Sequence, residues 1–167
     1  MKKEKFKLTG LQYYIKSVIK KLGIKNSYYE YSKTELKEAY QYDDYINEYD
    51  FAFKDIQIIP EPDNPHDPKA IKVLADDTQV GYIKKGSTSR VRNLLNDPDL
   101  SYYSLDIKGG KYKHVYEDEN GKIQVETGES EYYADLYICL NEPQQSEPES
   151  KIEPSTPKRS FFDLLRR

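Results

Sequence analysis

The chain has 167 residues, with 26 Lys and Arg against 29 Asp and Glu, 17 Tyr, one Cys and no Trp. This length is typical of one domain with a tail, and the hydrophobic fraction of 37% predicts a small core in which Tyr supplies much of the apolar surface. One Cys excludes an intramolecular disulfide, and no apolar run is long enough for a transmembrane helix or a signal peptide. We therefore expect a cytoplasmic protein without a membrane partner.

The net charge of −3 conceals a strong polarity along the chain. Residues 1–25 carry a charge of +7, residues 26–60 carry −5, residues 61–95 carry +1 and residues 96–140 carry −6. A surface that contacts phosphate groups is therefore expected to use the first and third of these segments.

Short helices and short strands alternate in the first half of the chain. Residues 6–11 form the first predicted strand, and the apolar spacing over 15–22 predicts an amphipathic helix that Gly23 ends. Residues 32–35 fit a capping box that opens a second helix.

The second half is mostly strand-like, with a third helix expected from Ser87 to Asn96. A hairpin is predicted through Asp76-Asp77, and a further turn through Asn120-Gly121. The predicted strands are 51–59, 70–74, 79–83, 102–107, 112–116, 123–126 and 132–140. Several short strands with small helices indicate an α+β fold built as a compact barrel or sandwich.

A change in composition near Asn141 marks the end of the predicted domain, which covers residues 1–140. Residues 141–160 hold four of the nine prolines and few apolar side chains, so we expect a disordered linker. Residues 161–167 (FFDLLRR) follow it. They are either an apolar end without a role, an end that folds back on the domain, or a short motif that docks on a protein partner.

The most informative stretch is the proline-rich loop at 60–73, PEPDNPHDPKAIKV. Its four prolines stiffen the backbone, and Asp63 and Asn64 can cap turns. In one interpretation the loop is a rigid connection in which Asp67 caps a turn and His66 is merely exposed. In the other, the loop presents His66 and Asp67 to a ligand in a fixed geometry.

A second candidate is the basic run at 84–92, KKGSTSRVR. Lysines, a glycine and hydroxyl residues at the start of a helix can bind a phosphate through charge and backbone N–H groups together. The spacing is not that of a Walker A loop, and a solvated helix start is the alternative interpretation.

Evidence for catalysis is weak, because His66 and His114 are the only histidines and no nucleophile motif is present. Cys139, between two apolar residues, is interpreted as a buried strand thiol. Four carboxylates can in principle hold a divalent metal, but turn formation explains them more simply: Asp63, Asp67, Asp76 and Asp77. No catalytic residue, metal site or cofactor is therefore predicted.

Three motifs in the right order resemble the HIRAN domain family: GLQYY at 10–14, EPDNPHDPKAIKV at 61–73 and VGYIKK at 80–85. The resemblance covers about 6–140 and is interrupted at about 24–50 by an acidic, Tyr-rich insertion, which is unlikely to contact DNA and is suited to shielding the barrel or contacting a protein. It implies a small six-stranded barrel related to OB and SH3-like folds, with short packed helices. Domains of this family occur in fork-remodelling helicases and nucleases, and as stand-alone bacterial and phage proteins.

The resemblance also implies a pocket that grips the 3′ end of single-stranded DNA. An Arg-Tyr pair of the family falls on Gln12 and Tyr13, a Tyr-Asp pair falls on His66 and Asp67, and a His falls on Tyr82. Tyr13 and Asp67 keep the family's residue types, whereas Gln12 lacks the positive charge of Arg.

The chemistry of such a pocket follows from its groups. A carboxylate such as Asp67 accepts a charge-assisted hydrogen bond from a free 3′-hydroxyl and repels the phosphate of an internal nucleotide, while nearby rings stack on bases.

The late aromatic residue of the family's pocket matches Tyr132 or Tyr133. The predicted DNA-contacting residues are Gln12, Tyr13, Tyr14, His66, Asp67, Tyr82, Lys84, Lys85, Ser87, Arg90 and Tyr132.

We therefore expect a non-enzymatic module that recognises single-stranded DNA by its 3′-hydroxyl end and acts as a sensor or adaptor in DNA repair or replication. The alternative is a protein–protein adaptor that keeps the barrel without binding DNA, which Gln12 and the negative net charge favour. A metal-dependent nuclease is a third interpretation.

Overall fold

The computed structural model describes residues 1–41 and 43–141. The predicted linker after Asn141 and the segment 161–167 lie outside the described residues. The described chain is mixed α and β, as predicted, and its strands pair in antiparallel fashion. None of its helices is both long enough and apolar enough to cross a membrane.

The N-terminal part follows the predicted order of strand and helix. Strand β1 (Lys2–Thr9) leads through Gly10 into helix α1 (Leu11–Leu22). Helix α1 ends at Gly23, whose N–H donates to the Ile19 carbonyl, so the predicted stop is confirmed. The strand begins earlier than predicted and ends two residues sooner, because Gly10 turns the chain into the helix.

The predicted insertion is folded in the described residues. Its elements are β2 (Gly23–Lys25), a 3-10 turn (Ser27–Glu30), α2 (Lys33–Glu38), β3 (Asp44–Asn47) and β4 (Tyr49–Phe51). The predicted capping box is confirmed: the Ser32 hydroxyl accepts from the Glu35 N–H, and the Glu35 carboxylate accepts from the Ser32 N–H at 2.7 Å.

The remaining elements are β5 (Ile56–Pro60), β6 (Ile71–Ala75), β7 (Thr78–Ile83), a 3-10 turn (Lys85–Ser87), α3 (Thr88–Leu95), β8 (Leu100–Glu117) and β9 (Ile123–Leu140). The hairpin turn at Asp76-Asp77 is confirmed, with φ values of 42° and 60° at its centre. A single strand over 51–59 is wrong, because the Asp76 carboxylate binds the N–H groups of Lys54 and Asp55 and so holds a break between β4 and β5.

Strands β8 and β9 are two strands of 18 residues where four short strands were predicted. Gly109 and Gly110, which a sequence pattern treats as a break, have φ values of 114° and 81° and lie at a register shift in the ladder. A Cβ on Gly109 would lie 2.4 Å from the Glu131 carbonyl oxygen. Glycine therefore allows a bulge here, and pairing continues beyond it.

Seven strands form one sheet in the order β3-β8-β9-β1-β7-β6-β5, and β2 pairs with β4 separately. The edge strands β3 and β5 do not pair with each other in the described part of the chain, so the closed six-stranded barrel is not confirmed. Strand β3 comes from the insertion and lies along β8. Strand β3 therefore occupies the edge of β8 that would pair with a different strand in a closed barrel.

The main core lies between the sheet and helices α1 and α3. Val18 of α1 and Val91 of α3 are fully buried, together with Val73, Leu136 and Ile138 of the sheet. A second, smaller core joins α2 to the outer part of the β8–β9 hairpin through Leu36, Val115 and Val125. The insertion thus has an apolar anchor of its own.

Candidate nucleic-acid interface

The end of β1 meets β7 at the corner where the family resemblance places the pocket. Thr9 lies opposite Tyr82 in the ladder. A Cβ on Gly81 would lie 2.6 Å from the Thr9 carbonyl oxygen, so the two backbones approach more closely than any side chain at this position allows. Gly81 therefore brings the half-buried Tyr82 next to the start of α1.

Two further side chains lie beside the Tyr82 phenol. Lys72 of β6 is the ladder partner of Tyr82 on the other side. Tyr14, from the first turn of α1, packs against the core, and burial together with the neighbouring Tyr82 phenol raises the pKa of its hydroxyl. The Tyr14 phenol is therefore neutral at physiological pH and can donate a hydrogen bond.

Glu61 joins this group to the proline-rich loop. Its carboxylate lies 2.7 Å from the Lys72 ammonium and accepts a hydrogen bond of 3.0 Å from the Asn64 amide. These contacts lower the pKa of Glu61, and the Glu61 carboxylate raises the pKa of Lys72. We call Tyr14, Glu61, Asn64, Lys72 and Tyr82 the corner cluster.

Asn64 also fixes the two loop residues that the sequence singled out. Its side-chain oxygen accepts from the N–H of His66 at 2.9 Å and from the N–H of Asp67 at 3.1 Å. The Asp67 Oδ1 in turn accepts from the Lys69 N–H at 2.8 Å, while the His66 side chain is exposed. The loop is therefore rigid, and Asp67 caps a turn as the first interpretation predicted. The second carboxylate oxygen of Asp67 has no hydrogen-bond partner among the described residues.

Gln12 and Tyr13 lie in the first turn of α1, and both are exposed. Tyr13 is 80% exposed, the most of the large apolar and aromatic side chains in the described part of the chain. A Cβ on Gly10 would contact the rings of both Tyr13 and Tyr14, so the two rings flank the turn between β1 and α1. The ring of Tyr13 is free to stack on a base.

The basic run after β7 is only partly available to a phosphate. Lys84 and Lys85 are exposed directly beyond the strand that carries Tyr82. Ser87 precedes α3 without capping it through its side chain, so the first N–H groups of this helix are not used by that hydroxyl. Lys84, Lys85 and Ser87 directly follow the strand that carries Tyr82, and their contact with a phosphate stays a prediction.

Arg90 is placed differently. Its guanidinium forms a two-pronged ion pair with Glu4 of β1, with one contact of 2.9 Å, and Lys2 lies 3.1 Å from the same carboxylate. Glu4 lies five residues before Thr9, a distance of about 16 Å along a strand. The structure therefore ties Arg90 to the far end of β1 and does not bring it to the corner cluster.

The two candidates for the late aromatic residue differ in environment. Tyr132 packs edge-to-face against Phe51 at 6.2 Å and lies over Gly110. Tyr133, by contrast, is 41% exposed on β9. Tyr132 thus has a packing role, and of the two rings Tyr133 is the more accessible to a ligand.

Two of the carboxylates considered as metal ligands have structural roles. Asp76 caps the backbone of Lys54 and Asp55, and Asp77 accepts from the Gln57 amide. No group of three or more His, Cys, Asp or Glu side chains in residues 1–41 and 43–141 is placed to hold a metal ion. Cys139 is fully buried, as predicted.

Glu61, Asn64 and Lys72 were not predicted as site residues, although all three lie within the motif at 61–73. Of the three, Asn64 could have been suspected from the sequence, because an Asn before Pro is a typical turn residue. The ion pair between Glu61 and Lys72 could not be predicted from the sequence, because it depends on β5 and β6 lying side by side.

Comparison with curated proteins and with solved structures gives no significant match. The family model of the HIRAN domain matches residues 5–125, which is well over half of the chain. The match includes the corner cluster and the proline-rich loop, and it confirms the resemblance drawn from the three motifs. The chain belongs to the HIRAN domain family.

Proposed function

We propose that this protein binds the 3′-hydroxyl end of single-stranded DNA at the corner cluster and the adjoining loop. Membership of the HIRAN family indicates nucleic-acid binding in general, and the family is a DNA-binding one rather than a catalytic one. We further propose that the protein prefers a strand end and acts as a sensor or adaptor in DNA repair or replication. We also propose that it has no enzymatic activity.

The observation that carries the proposal is the way in which Asn64 holds the loop. By binding the N–H groups of both His66 and Asp67, it fixes an exposed ring and a carboxylate side by side. The Asp67 oxygen that is not used in the turn can accept a charge-assisted hydrogen bond from a terminal hydroxyl. A phosphate at the same position would be repelled, so one side chain both selects and excludes.

Stacking would supply the rest of the affinity. Tyr13 and His66 present exposed rings, and Tyr82 presents a half-buried one. Stacking of a base on an aromatic side chain contributes about 1–3 kcal/mol. Because Lys72 neutralises Glu61, the corner cluster does not add a net negative charge that would oppose the approach of DNA.

The test is the binding of a fluorescent single strand with a free 3′-hydroxyl, compared by anisotropy with the same strand carrying a 3′-phosphate. We expect a preference for the hydroxyl of about tenfold or more, the value of a hydrogen bond to a charged group. In Asp67→Asn the turn-capping oxygen remains but the charge is lost, so the preference should disappear. Asp63→Asn, an exposed carboxylate in the same loop, is the matched control and should keep it.

Equal affinity of the wild-type protein for both strands would contradict end recognition. Absence of binding to either strand at low salt would contradict DNA binding altogether.

A protein-interaction role is the second candidate, and the insertion is the region that favours it. Tyr28, Tyr31 and Tyr45 are 57%, 39% and 58% exposed there, on an acidic segment that DNA would not approach. Salt separates the two functions, since binding that neutralises phosphates must weaken steeply as salt rises.

A further inference from the structure

Strand β1 carries a row of lysines that the proposed end-binding site does not use. Phe6 and Leu8 of this strand are buried in the core. Because side chains alternate along a strand, Lys3, Lys5 and Lys7 project together from the opposite face, and all three are exposed. The sequence showed these lysines as a basic N-terminal segment, and the sheet arranges them in a line.

The neighbouring strands place aromatic rings beside that line. Strand β9 pairs with β1, so that Tyr137 lies opposite Lys5, and the Lys3 ammonium lies 3.9 Å from the centre of the Tyr137 ring. Tyr133 lies opposite Lys108 of β8. The exposed or half-exposed side chains of this surface, which we call the lysine face, are Lys3, Lys5, Lys7, Tyr102, Lys108, Tyr133 and Tyr137.

The lysine face is positively charged even after its carboxylates are counted. Asp106 and Asp135 lie opposite each other on β8 and β9, and Asp135 is 5% exposed and pairs with Lys5 at 2.8 Å. Four lysines therefore face two carboxylates, one of which is buried and neutralised. Beyond Tyr133 the same strand carries Glu129 and Glu131, so the positive charge ends there.

The lysine face is continuous with the proposed end-binding site. Thr9 is two residues beyond Lys7 and lies opposite Tyr82, so the side chains of all three leave the sheet on the same side. From Thr9 to Lys3 the strand extends about 20 Å, enough for a few nucleotides of an extended strand. A chain held by its end at the corner cluster has a basic, aromatic path leading away from it.

We propose that the lysine face is a second DNA-binding surface, along which the backbone of the single strand runs after its 3′ end is held at the corner cluster. The inference rests on the proposed function. Lysines next to exposed tyrosines are the combination that binds single strands without sequence preference, the lysines contacting phosphates and the rings stacking on bases.

The test uses the full chain and a variant in which Lys3→Gln, Lys7→Gln and Lys108→Gln are combined. Lys5 is kept, because its removal would leave the buried Asp135 without a partner. The matched control is Lys33→Gln with Lys37→Gln and Lys122→Gln, which removes the same charge from exposed positions around the insertion. Binding of a strand of about 12 nucleotides with a free 3′-hydroxyl is measured between about 50 and 200 mM salt.

We expect the lysine-face variant to bind this strand about tenfold more weakly at low salt. Its plot of log affinity against log salt should be shallower by about 2, since each lost phosphate contact changes the slope by about 0.7 for a single strand. The preference for a 3′-hydroxyl over a 3′-phosphate should be unchanged. The control variant should match the wild type in affinity and slope.

A second variant tests the rings without a change of charge. Tyr133→Ala removes a partly exposed aromatic side chain and should weaken binding about fivefold or more at an unchanged salt slope.

The outcomes separate this inference from the proposed function. If the wild type prefers the 3′-hydroxyl but the lysine-face and control variants bind with equal affinity and slope, the lysine face does not bind DNA and end recognition stands. If the wild type binds no strand, both proposals fail. If poly-glutamate binds to the lysine face and the DNA strand does not, the face belongs to an acidic protein partner and the inference is overturned.

Discussion

The two ends of the long β8–β9 hairpin meet very different surroundings. Along the half that pairs with β1 lies the row of lysines, and β1 leads on from there to the corner cluster and the proline-rich loop. At the other end lie α2 and β3 of the insertion, with a small core of their own and an excess of acidic side chains. A chain with a net charge of −3 can therefore present a basic surface, because the fold places a row of lysines along one half of the hairpin and many carboxylates along the other half.

Net charge is therefore a poor guide to the surfaces that a small domain presents. The negative net charge favoured a protein adaptor over a DNA-binding module, yet 12 of the 24 acidic residues between positions 1 and 140 lie on the insertion (24–50) and on the far part of the hairpin (112–129). If the two ends are as independent as their separate cores indicate, a change at one end should leave the other unaffected.

The largest effect is expected where β1 and β7 approach each other. Gly81→Ala would place a methyl group 2.6 Å from the Thr9 carbonyl oxygen, which forces the two strands apart. We expect a loss of about 2–3 kcal/mol in the free energy of unfolding, measured with denaturant, together with weaker DNA binding. Gly86→Ala, where nothing lies within 4 Å, is the control and should change stability by less than about 0.5 kcal/mol. Equal stability of the two variants would show that the close approach is not required.

A smaller effect, dependent on pH, is expected from the ion pair that holds α3 against β1. Hydrogen bonding to Arg90 and to Lys2 lowers the pKa of Glu4 from 4.5 to about 2, despite its partial burial. A carboxyl with a lowered pKa stabilises the fold above its unfolded pKa, and this contribution is lost as the pH falls from about 4.5 to about 2. Arg90→Gln should therefore lower the free energy of unfolding at neutral pH, by an amount that solvent screening reduces, and the difference from the wild type should shrink as the pH falls toward 2.

The insertion offers a matched pair for this measurement. Lys25 and Glu30 are 2.7 Å apart, but both side chains are more than half exposed. Lys25→Gln should therefore change the pH dependence of unfolding much less than Arg90→Gln does. A larger effect for Lys25→Gln would mean that the ion pair on β1 does not contribute as its geometry indicates.

The smallest effect is expected at the capping box of α2. Ser32→Ala removes the hydroxyl that accepts from the Glu35 N–H, and it should cost about 0.5–1 kcal/mol in unfolding free energy. Affinity for single-stranded DNA should stay the same, because α2 anchors the insertion end only. A parallel loss of DNA affinity would show that the two ends of the hairpin are coupled.

Local elements were predictable where a few neighbouring residues decide the conformation. The spacing from Ile15 to Leu22 and the stop at Gly23 gave helix α1 its correct C-terminal end, and the Asp76-Asp77 turn was also predicted. In each case the apolar period, the cap or the turn residue acts within one turn of chain.

Elements that depend on distant partners were predicted less well. The four short strands expected in the second half are two long ones, since pairing between β8 and β9 continues through the bulge at Gly109-Gly110. The closed barrel was expected from the family resemblance, but β3 of the insertion lies along β8 and the described sheet stays open. Sequence patterns do not show which strands lie next to each other in the sheet.

The predicted site residues show the same difference between local and distant contacts. His66 and Asp67 were selected because four prolines stiffen their loop, and the structure shows that Asn64 holds both. Arg90 was selected as part of a basic run, but Glu4 lies 86 residues away in sequence and was not considered as its partner.

By itself, the sequence determined the family, helix α1, the principal turns and the rigid loop, because these depend on local geometry and on a long, specific motif. Only the tertiary structure decided which charges stand together. Pairing of β5 with β6 joins Glu61 to Lys72, packing of α3 on β1 engages Arg90, and pairing of β1 with β9 sets the lysines beside the half-exposed ring of Tyr137. Charge acts through space over distances of a few ångströms, and sequence separation carries little information about which groups come that close.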